Sequence, residues 1–163
     1  MNRKIDLVEE GVDLAVRVGH LADSSMVARK IGSMPLKTVA SMAYFEQHGR
    51  PEHPKALAEH NCLINTAIST PKRWTYQVAG KTLLVKVSGE LEANESLCLK
   101  AFAMVGQGIA QMPNFYVDNA IASQELIEIL AEYAPQPLPI NLIYPSQRLL
   151  NPALIDFLMD YMD

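Results

Sequence analysis

The sequence predicts an α/β fold with a mostly parallel or mixed sheet. Helical and strand-like patterns alternate along the 163 residues, and residues 73–88 predict an antiparallel hairpin. Residues 94–113 predict a helix that leads into a buried strand through Gly106 and Gly108. These observations together predict layers of helices and strands within one soluble chain.

The first half of the chain carries clear local signals. Residues 5–10 are expected to end a helix. Ser41 is expected to cap a helix over 42–48, which Gly49 ends, and a second short helix is predicted at 54–59. Alternating or short apolar runs predict the strands 12–18, 26–31, 36–40 and 62–65, with the second and third separated by the stretch 32–35.

The second half begins with the hairpin, in which alternating apolar residues flank a turn at Ala79 and Gly80. Asn94 is expected to cap the next helix, whose predicted buried face is Leu97, Cys98, Ala101, Phe102 and Val105. Further segments are a strand at 109–112, helical turns at 115–122, and strands at 126–130 and 140–144. A final helix is expected from Asn151 and Pro152, with the buried stripe Leu154, Ile155, Leu158 and Met162.

Composition narrows the class of protein. Apolar residues make up 49% and charged residues 20%, and no apolar run approaches the ~20 residues that span a bilayer. The N-terminal segment has no apolar signal-peptide core, which predicts a cytoplasmic protein. The net charge of -4, with scattered bases, argues against a nucleic-acid surface.

Motifs for catalysis or metal binding are not found in the sequence. Cys62 and Cys98 are predicted to be buried reduced thiols, with a disulfide as the alternative. The four histidines lack metal-ligand spacing, and Gly106 with Gly108 follows a helix instead of opening one, unlike a dinucleotide fingerprint. We therefore predict no enzyme activity, no metal and no cofactor. Polar residues at strand ends and helix starts remain, namely Ser41, Asn65, Thr66, Asn94, Glu95 and Ser96.

Five consecutive motifs resemble the effector-binding region of LysR-type transcriptional regulators. They are DLVEEGVDLAVRVGHLADSSMVARKIG, VASMAYFEQHGRPEHPKALAEHNCL, the W-x-Y hairpin, NESLCLKAFAMVGQGIAQMP and IYPSQRLLNPALIDFLMDYM, from about Asp6 to Met162. The resemblance implies a fold like type II periplasmic binding proteins, with two small α/β lobes joined by crossing strands. Residues 1–38 and 140–163 would form an incomplete first lobe, and residues 39–139 the second.

The resemblance also implies a ligand site and partners. The second-lobe contacts would be Ser41, then Ile64, Asn65 and Thr66, then Asn94 and Glu95, with Gly19 facing them from the first lobe across an inducer cleft. The ligand would be a small metabolite such as an organic acid, and the chain would form a homodimer or homotetramer. DNA would be bound only through an N-terminal winged helix-turn-helix, which is absent before Met1, and no membrane partner is implied.

Three functions follow as expectations. The leading one is an effector-sensing and oligomerisation domain, in which a bound metabolite alters subunit packing. The alternative is a self-association module without effector binding. The third is a periplasmic-type solute-binding protein or an enzyme. A solute-binding protein would need a signal peptide, and an enzyme would need a nucleophile or a set of metal ligands. The sequence has neither feature.

Overall fold

The computed structural model describes residues 15–19 and 26–145, and near the C-terminus residues 152, 153, 156, 157 and 160. The predicted helix tail at 5–10 and the stripe Leu154, Ile155, Leu158 and Met162 lie outside the described residues. The strands are β1 (Ala15–Val18), β2 (Met26–Met34), β3 (Leu36–Ala40), β4 (Ile64–Asn65), β5 (Arg73–Val78), β6 (Lys81–Lys86), β7 (Glu92–Ala93), β8 (Ala110–Pro113), β9 (Ile127–Ile129) and β10 (Leu138–Pro145). The α-helices are α1 (Met42–His48), α2 (Ser96–Met104) and α3 (Asn114–Ala122), with short 3-10 helices at Pro54–Glu59 and Ala131–Tyr133.

The smaller of two units contains β1, β2 and β10, with β10 in the centre and antiparallel to both neighbours. Its described core is Ile31, Ile140 and Leu142. The predicted break at 32–35 is wrong, because β2 runs on to Met34 and only Pro35, which has no N–H to donate, ends it. A bulge at Ile31 of β2 produces the change of register opposite Ile140 and Asn141 of β10.

The larger unit, residues 35–136, is built on a mixed sheet with the strand order β7, β4, β8, β3, β9. β4 and β7 are parallel, whereas β3 is antiparallel to β8 and β9. Two backbone hydrogen bonds join the pair β4–β7 to the group β8, β3 and β9. The Leu63 N–H donates to the Ile109 carbonyl at 2.7 Å, and the Ile109 N–H donates to the Asn61 carbonyl at 2.9 Å. Most of the described strand pairs are antiparallel, so the mixed alternative describes the sheet and the mostly parallel one is wrong.

This sheet is covered on both faces. Successive strand residues point to opposite sides, so Ala40 and Ile64 pack with the hairpin β5–β6, α1 and the first 3-10 helix. Their neighbours Val39 and Leu63 pack with α2 and α3 on the other side. The unit therefore has three layers, which explains why the short central strands are apolar at nearly every position.

Two local predictions are confirmed in atomic detail. Ser41 is the N-cap of α1, and its Oγ accepts a hydrogen bond from the Tyr44 N–H at 3.2 Å. The hairpin turns through Ala79 and Gly80, whose φ values of 51° and 76° both lie in the left-handed region. That geometry is a type I′ turn, which matches the twist of two antiparallel strands.

The prediction for α2 is wrong in its cap and in its buried face. Glu95 occupies the N-cap position with no side-chain cap bond, and Asn94 precedes it. The buried residues are Ser96, Leu99 and Ala103, whereas Leu97 and Val105 are 63% and 69% exposed. The helix is apolar on both sides, so periodicity alone could not identify the side that faces the sheet.

Two glycines allow the backbone segments to approach closely where β4, β7 and β8 begin. A Cβ at Gly89 would lie 1.8 Å from the Cys62 carbonyl oxygen, and one at Gly108 would lie 2.7 Å from the Asn61 carbonyl oxygen. The Asn61 side chain connects the same three segments by hydrogen bonds. Its Oδ1 accepts from the Glu90 N–H at 2.8 Å, and its Nδ2 donates to the Gln107 carbonyl at 2.6 Å. The starts of three strands are thus held together.

We expect Gly89→Ala to lower the free energy of unfolding by about 2 kcal/mol or more, because the new methyl group would overlap backbone that cannot move aside. Urea unfolding followed by circular dichroism measures this change. Gly32→Ala is the matched control, since a Cβ there meets only the end of the Ile140 side chain at 3.8 Å. Equal effects of the two substitutions would contradict the close-packing argument.

Candidate functional site

Five of the predicted ligand contacts lie along one edge of the sheet. β4 and β7 are parallel, with Asn65 opposite Ala93, so both strands end at the same edge. The Thr66 N–H donates to the Ala93 carbonyl at 2.9 Å, which places Thr66 beside the start of the Asn94 segment. The structure therefore brings Ile64, Asn65, Thr66, Asn94 and Glu95 together, and polar groups at strand ends are the usual ligand contacts of α/β sheets.

These five residues differ in what they can offer a ligand. Ile64 is fully buried, and the Asn65 Oδ1 is occupied by the Ala67 N–H at 2.9 Å. Thr66, Asn94 and Glu95 are exposed. Because no side chain caps α2, the N–H groups of its first turn are also available at this edge.

Ser41 lies at the opposite end of the sheet. β3 runs antiparallel to β8, which is itself parallel to β4, so the end of β3 lies near the beginning of β4. Gly106 lies just beyond the C-terminal end of α2, and a Cβ added there would be 3.4 Å from the Ser41 Oγ. Asn94, in contrast, precedes the N-terminal end of α2. The nine residues of α2 span about 14 Å. Ser41 is thus a buried helix cap and is not brought to the other predicted contacts.

Gly19 belongs to the smaller unit, at the end of β1. Its φ of 101° lies in the region that favours glycine, and its N–H donates to the Pro139 carbonyl at 2.9 Å. The backbone at Gly19 is therefore fixed by β10. Its role as a ligand contact stays a prediction.

A groove of about 450 Å³ opens beside Thr66. No motif in the sequence predicts this groove. The signal that could have indicated it is Pro71 followed by two adjacent cations in a polar loop. Lys72 lies 3.5 Å from Glu92 across the groove, and both side chains are largely exposed. The lining residues are Ile64, Thr66, Thr70, Pro71, Lys72, Arg73 and Glu92.

A cluster of two histidines and a tyrosine lies at the same end of the sheet as Ser41. The Tyr44 hydroxyl oxygen accepts from the Asn61 N–H at 3.2 Å and lies 2.7 Å from the His60 Nδ1. The His48 ring stacks on Tyr44 at 4.7 Å. Burial lowers the pKa of His60, the charge of His48 lowers it further, and Glu59 opposes both. The Tyr44 hydroxyl and the His60 Nδ1 therefore share one hydrogen bond, in which the tautomer of His60 determines which atom donates.

The two thiols lie in different environments. Cys62 is buried, as predicted, and burial raises its pKa to about 12. Cys98 is exposed on α2, so the prediction that it is buried is wrong, for the reason given for that helix. In the described part of the chain, no three His, Cys, Asp or Glu side chains are placed to hold a metal ion. None of the described helices is long and apolar enough to cross a bilayer.

The comparison with known proteins identifies the family. The family described as LysR substrate binding domain matches residues 1–161. The chain belongs to this family. An uncharacterized HTH-type transcriptional regulator of Haemophilus influenzae is 39% identical over 147 residues, which are 90% of this chain and 51% of the relative.

Solved structures of LysR-type regulators agree with this fold. The regulatory domain of CrgA from Neisseria meningitidis has a TM-score of 0.78 and 32% identity, covering 96% of this chain and 78% of that one. The regulatory domain of AphB from Vibrio vulnificus has a TM-score of 0.77 and 29% identity, covering 98% and 79%. This chain spans about half the length of the curated relatives that it matches, and those relatives are named as transcriptional regulators. The periplasmic-binding-protein-like fold implied by the sequence is thereby confirmed.

We expect acid to destabilise this LysR domain in part through His60. A histidine whose pKa is lowered on folding costs nothing while it is neutral in both states, above its ordinary value of 6.5. Its destabilising effect grows as the pH falls below that value, because the unfolded chain binds the proton first. The loss of unfolding free energy between about pH 8 and about pH 5.5, measured in urea, should shrink in His60→Asn, whose side chain accepts a hydrogen bond but does not titrate.

His53→Asn is the control, because the His53 Nδ1 accepts from the nearby Lys55 N–H at 3.1 Å and its ring contacts Tyr133, away from Tyr44 and His60. An acid response that is unchanged in His60→Asn would show that the Tyr44–His60 pair does not contribute to it.

We expect one of the two thiols to react rapidly with a disulfide reagent in the folded chain at low protein concentration, where single copies predominate. Cys98 is exposed, whereas Cys62 is buried and its thiolate is suppressed by its raised pKa. Titration with Ellman's reagent before and after denaturation measures this difference. Cys98→Ser should abolish the rapid phase, and a rapid phase that persists would contradict the assignment.

Proposed function

We propose that this chain is the effector-sensing part of a LysR-type regulator and that a small metabolite binds at the shared edge of β4 and β7. The observation that supports this proposal is the parallel pairing that puts Thr66, Asn94 and Glu95 side by side without a catalytic group. The first turn of α2 adds backbone N–H donors at the same place. Such a set of groups binds and orients a ligand but performs no chemistry on it.

The mechanism is a shift between conformations. A ligand that contacts both the 64–66 segment and the start of α2 favours the arrangement in which those two segments are closest. Because α2 follows β7 directly, a ligand bound at this edge lies beside the start of the helix and can change its position. A coupling of ~1–3 kcal/mol is enough for regulation.

Thermal-shift measurement on a panel of carboxylates, amino acids, sugars and amines tests the sensing function. A ligand at ~100 times its dissociation constant adds ~2.7 kcal/mol, which raises the melting temperature by ~5–10 °C for a chain of this size. Thr66→Ala and Asn94→Ala should reduce that rise.

Ser41→Ala is the control for the edge. Loss of the cap should lower the melting temperature of the free protein, at a cost of about 1 kcal/mol, while leaving the ligand-induced rise intact. A panel that produces no rise would count against the sensing function. A rise abolished by Ser41→Ala but not by the edge variants would move the site to the other end of the sheet.

We also propose that the chain self-associates through the outward face of α2. Leu97, Cys98, Ala101 and Val105 are exposed on the side of the helix that faces away from the sheet. An apolar stripe of this kind on a soluble protein is typical of an interface, and a second copy offers a self-complementary surface. Sensing and association would then meet in one helix, with its start at the ligand edge and its outer face against the partner.

We expect Leu97→Glu and Val105→Glu to shift the chain towards monomer, because a carboxylate buried between apolar helices lacks a partner. Sedimentation or light scattering over a concentration series measures this. Leu84→Glu is the matched control, since Leu84 is 60% exposed on the hairpin. A wild-type chain that stays monomeric at every concentration would rule the proposal out.

A further inference from the structure

The hairpin is a cationic segment of an acidic chain. Residues 60–89 contain Lys72, Arg73, Lys81 and Lys86 but no Asp or Glu, although the net charge of the whole chain is -4. Lys72 lies 3.5 Å from Glu92. In the part of the chain that the structure describes, the other three cations are beyond ion-pairing distance of any carboxylate. The hairpin therefore presents a local surface of unbalanced positive charge.

The strand pairing determines which residues of the hairpin face outwards. Trp74, Tyr76 and Val85 are buried in the core of the larger unit. Because side chains alternate along a strand, the residues between them point away from that core. The outer hairpin face consists of the cross-strand pairs Arg73–Lys86, Thr75–Leu84 and Gln77–Thr82.

The two cations of the outer hairpin face are held close together. The Arg73 N–H donates to the Thr70 carbonyl at 3.2 Å, and the Val87 N–H donates to the Lys72 carbonyl at 2.9 Å. Arg73 and Lys86 are therefore a pair without hydrogen bonds between their backbones, the kind in which opposite side chains are closest. Both side chains are exposed. Like charges directly opposite each other are destabilising, and an anionic partner would remove this repulsion.

An apolar side chain follows the two cations on the same face. Leu84 lies two residues from Lys86, which is about 7 Å along the strand, and it is 60% exposed. Nearer the turn, the Gln77 Nε2 donates to the Thr82 hydroxyl at 3.0 Å, so these two polar groups bond to each other. From its open end towards the turn, the outer hairpin face presents two cations, then a leucine, then a neutral polar pair.

We propose that the outer hairpin face docks an acidic segment of a partner protein, with a carboxylate between Arg73 and Lys86 and an apolar side chain against Leu84. The carboxylate relieves the repulsion and gains charge-assisted hydrogen bonds from both cations. A spacing of about 7 Å fits an extended segment whose acidic and apolar residues are two apart, or a helix in which they are three or four apart. This docking does not depend on a ligand at the shared edge of β4 and β7.

The chemistry of the outer hairpin face favours a protein over a phosphate surface. Nucleic-acid binding gains its affinity from many phosphate contacts, and this face has two cations. Leu84 has no counterpart on a phosphate backbone, whereas it can pack against an apolar side chain of a protein. Binding to a lipid surface scales with the apolar area that is buried, and one leucine supplies little of it.

Fluorescence anisotropy of the 163-residue chain with a labelled synthetic peptide tests the proposal. The peptide repeats the sequence Glu-Ser-Leu-Ser, and a matched peptide has Gln in place of Glu. We expect the Glu peptide to bind about tenfold more tightly than the Gln peptide at low salt, and the difference to shrink as salt is added. Arg73→Gln, Lys86→Gln and Leu84→Ser should each weaken binding of the Glu peptide about threefold.

Lys30→Gln is the charge-matched control, because Lys30 is exposed on β2 in the smaller unit, and it should leave the affinity unchanged. The proposal is overturned if the Glu peptide does not bind at a chain concentration of about 1 mM. It is also overturned if the Arg73→Gln/Lys86→Gln double variant binds the peptide as tightly as the wild-type chain while keeping its circular-dichroism melt. Aggregation of that variant with unchanged binding would identify the two cations as protection of a strand edge.

Two competitors distinguish the kinds of partner. A DNA duplex and phosphatidylserine vesicles are each added to the complex of the chain with the Glu peptide. We expect neither to displace the peptide at an equal concentration of charge. Displacement by either one, lost in the Arg73→Gln/Lys86→Gln double variant, would assign the outer hairpin face to a phosphate surface and overturn the protein partner.

Discussion

The close approach of three backbone segments around Asn61 is the constraint on which the larger unit depends. The Asn61 side chain bonds backbone groups of Glu90 and Gln107, and its own carbonyl accepts from Ile109. Only glycine fits at positions 89 and 108, where a side chain would overlap the neighbouring backbone. Because this point joins β4 to both β7 and β8, it fixes the order of the strands. The short strands alone, two residues each in β4 and β7, would not specify that order.

The same junction determines at which end of the sheet polar groups are exposed to solvent. With the starts of β4, β7 and β8 fastened together, the remaining polar groups of β4 and β7 lie at their carboxyl ends. The Tyr44–His60 pair and the Ser41 cap occupy the fastened end, where their hydrogen bonds are used within the fold. At the carboxyl end Thr66, Asn94 and Glu95 are exposed to solvent. The division between an end whose polar groups bond within the fold and an end whose polar groups are exposed is therefore a consequence of strand direction.

Much of the fold could be predicted from the sequence, because local chemistry determines it. The Ser41 cap, the end of α1 at Gly49 and the Ala79–Gly80 turn each depend on a few adjacent residues, and each was predicted within a residue. The candidate site was predicted less well. Ser41 and Asn65 both lie at the end of a strand, so the local sequence pattern is the same at the two positions. Whether the two strands end on the same side of the sheet depends on pairings between residues far apart in the chain, which no local pattern encodes. The prediction of the buried face of α2 was wrong for a related reason, since a helix that is apolar all round does not specify which side packs against the sheet.

The two features that the sequence did not reveal have the same physical character. The exposed apolar face of α2 and the facing cations Arg73 and Lys86 both cost stability in an isolated chain. Features that break such local stability rules occur mainly at functional sites, so their positions are informative. One lies on the outer face of α2, and the other borders the groove that adjoins β7, the strand leading directly into α2. Under the proposed function, a ligand at the shared edge of β4 and β7 would lie beside the start of the helix whose outer face is proposed to associate. If both proposals hold, sensing and association would be coupled through α2 alone, and no longer path of contacts would be required.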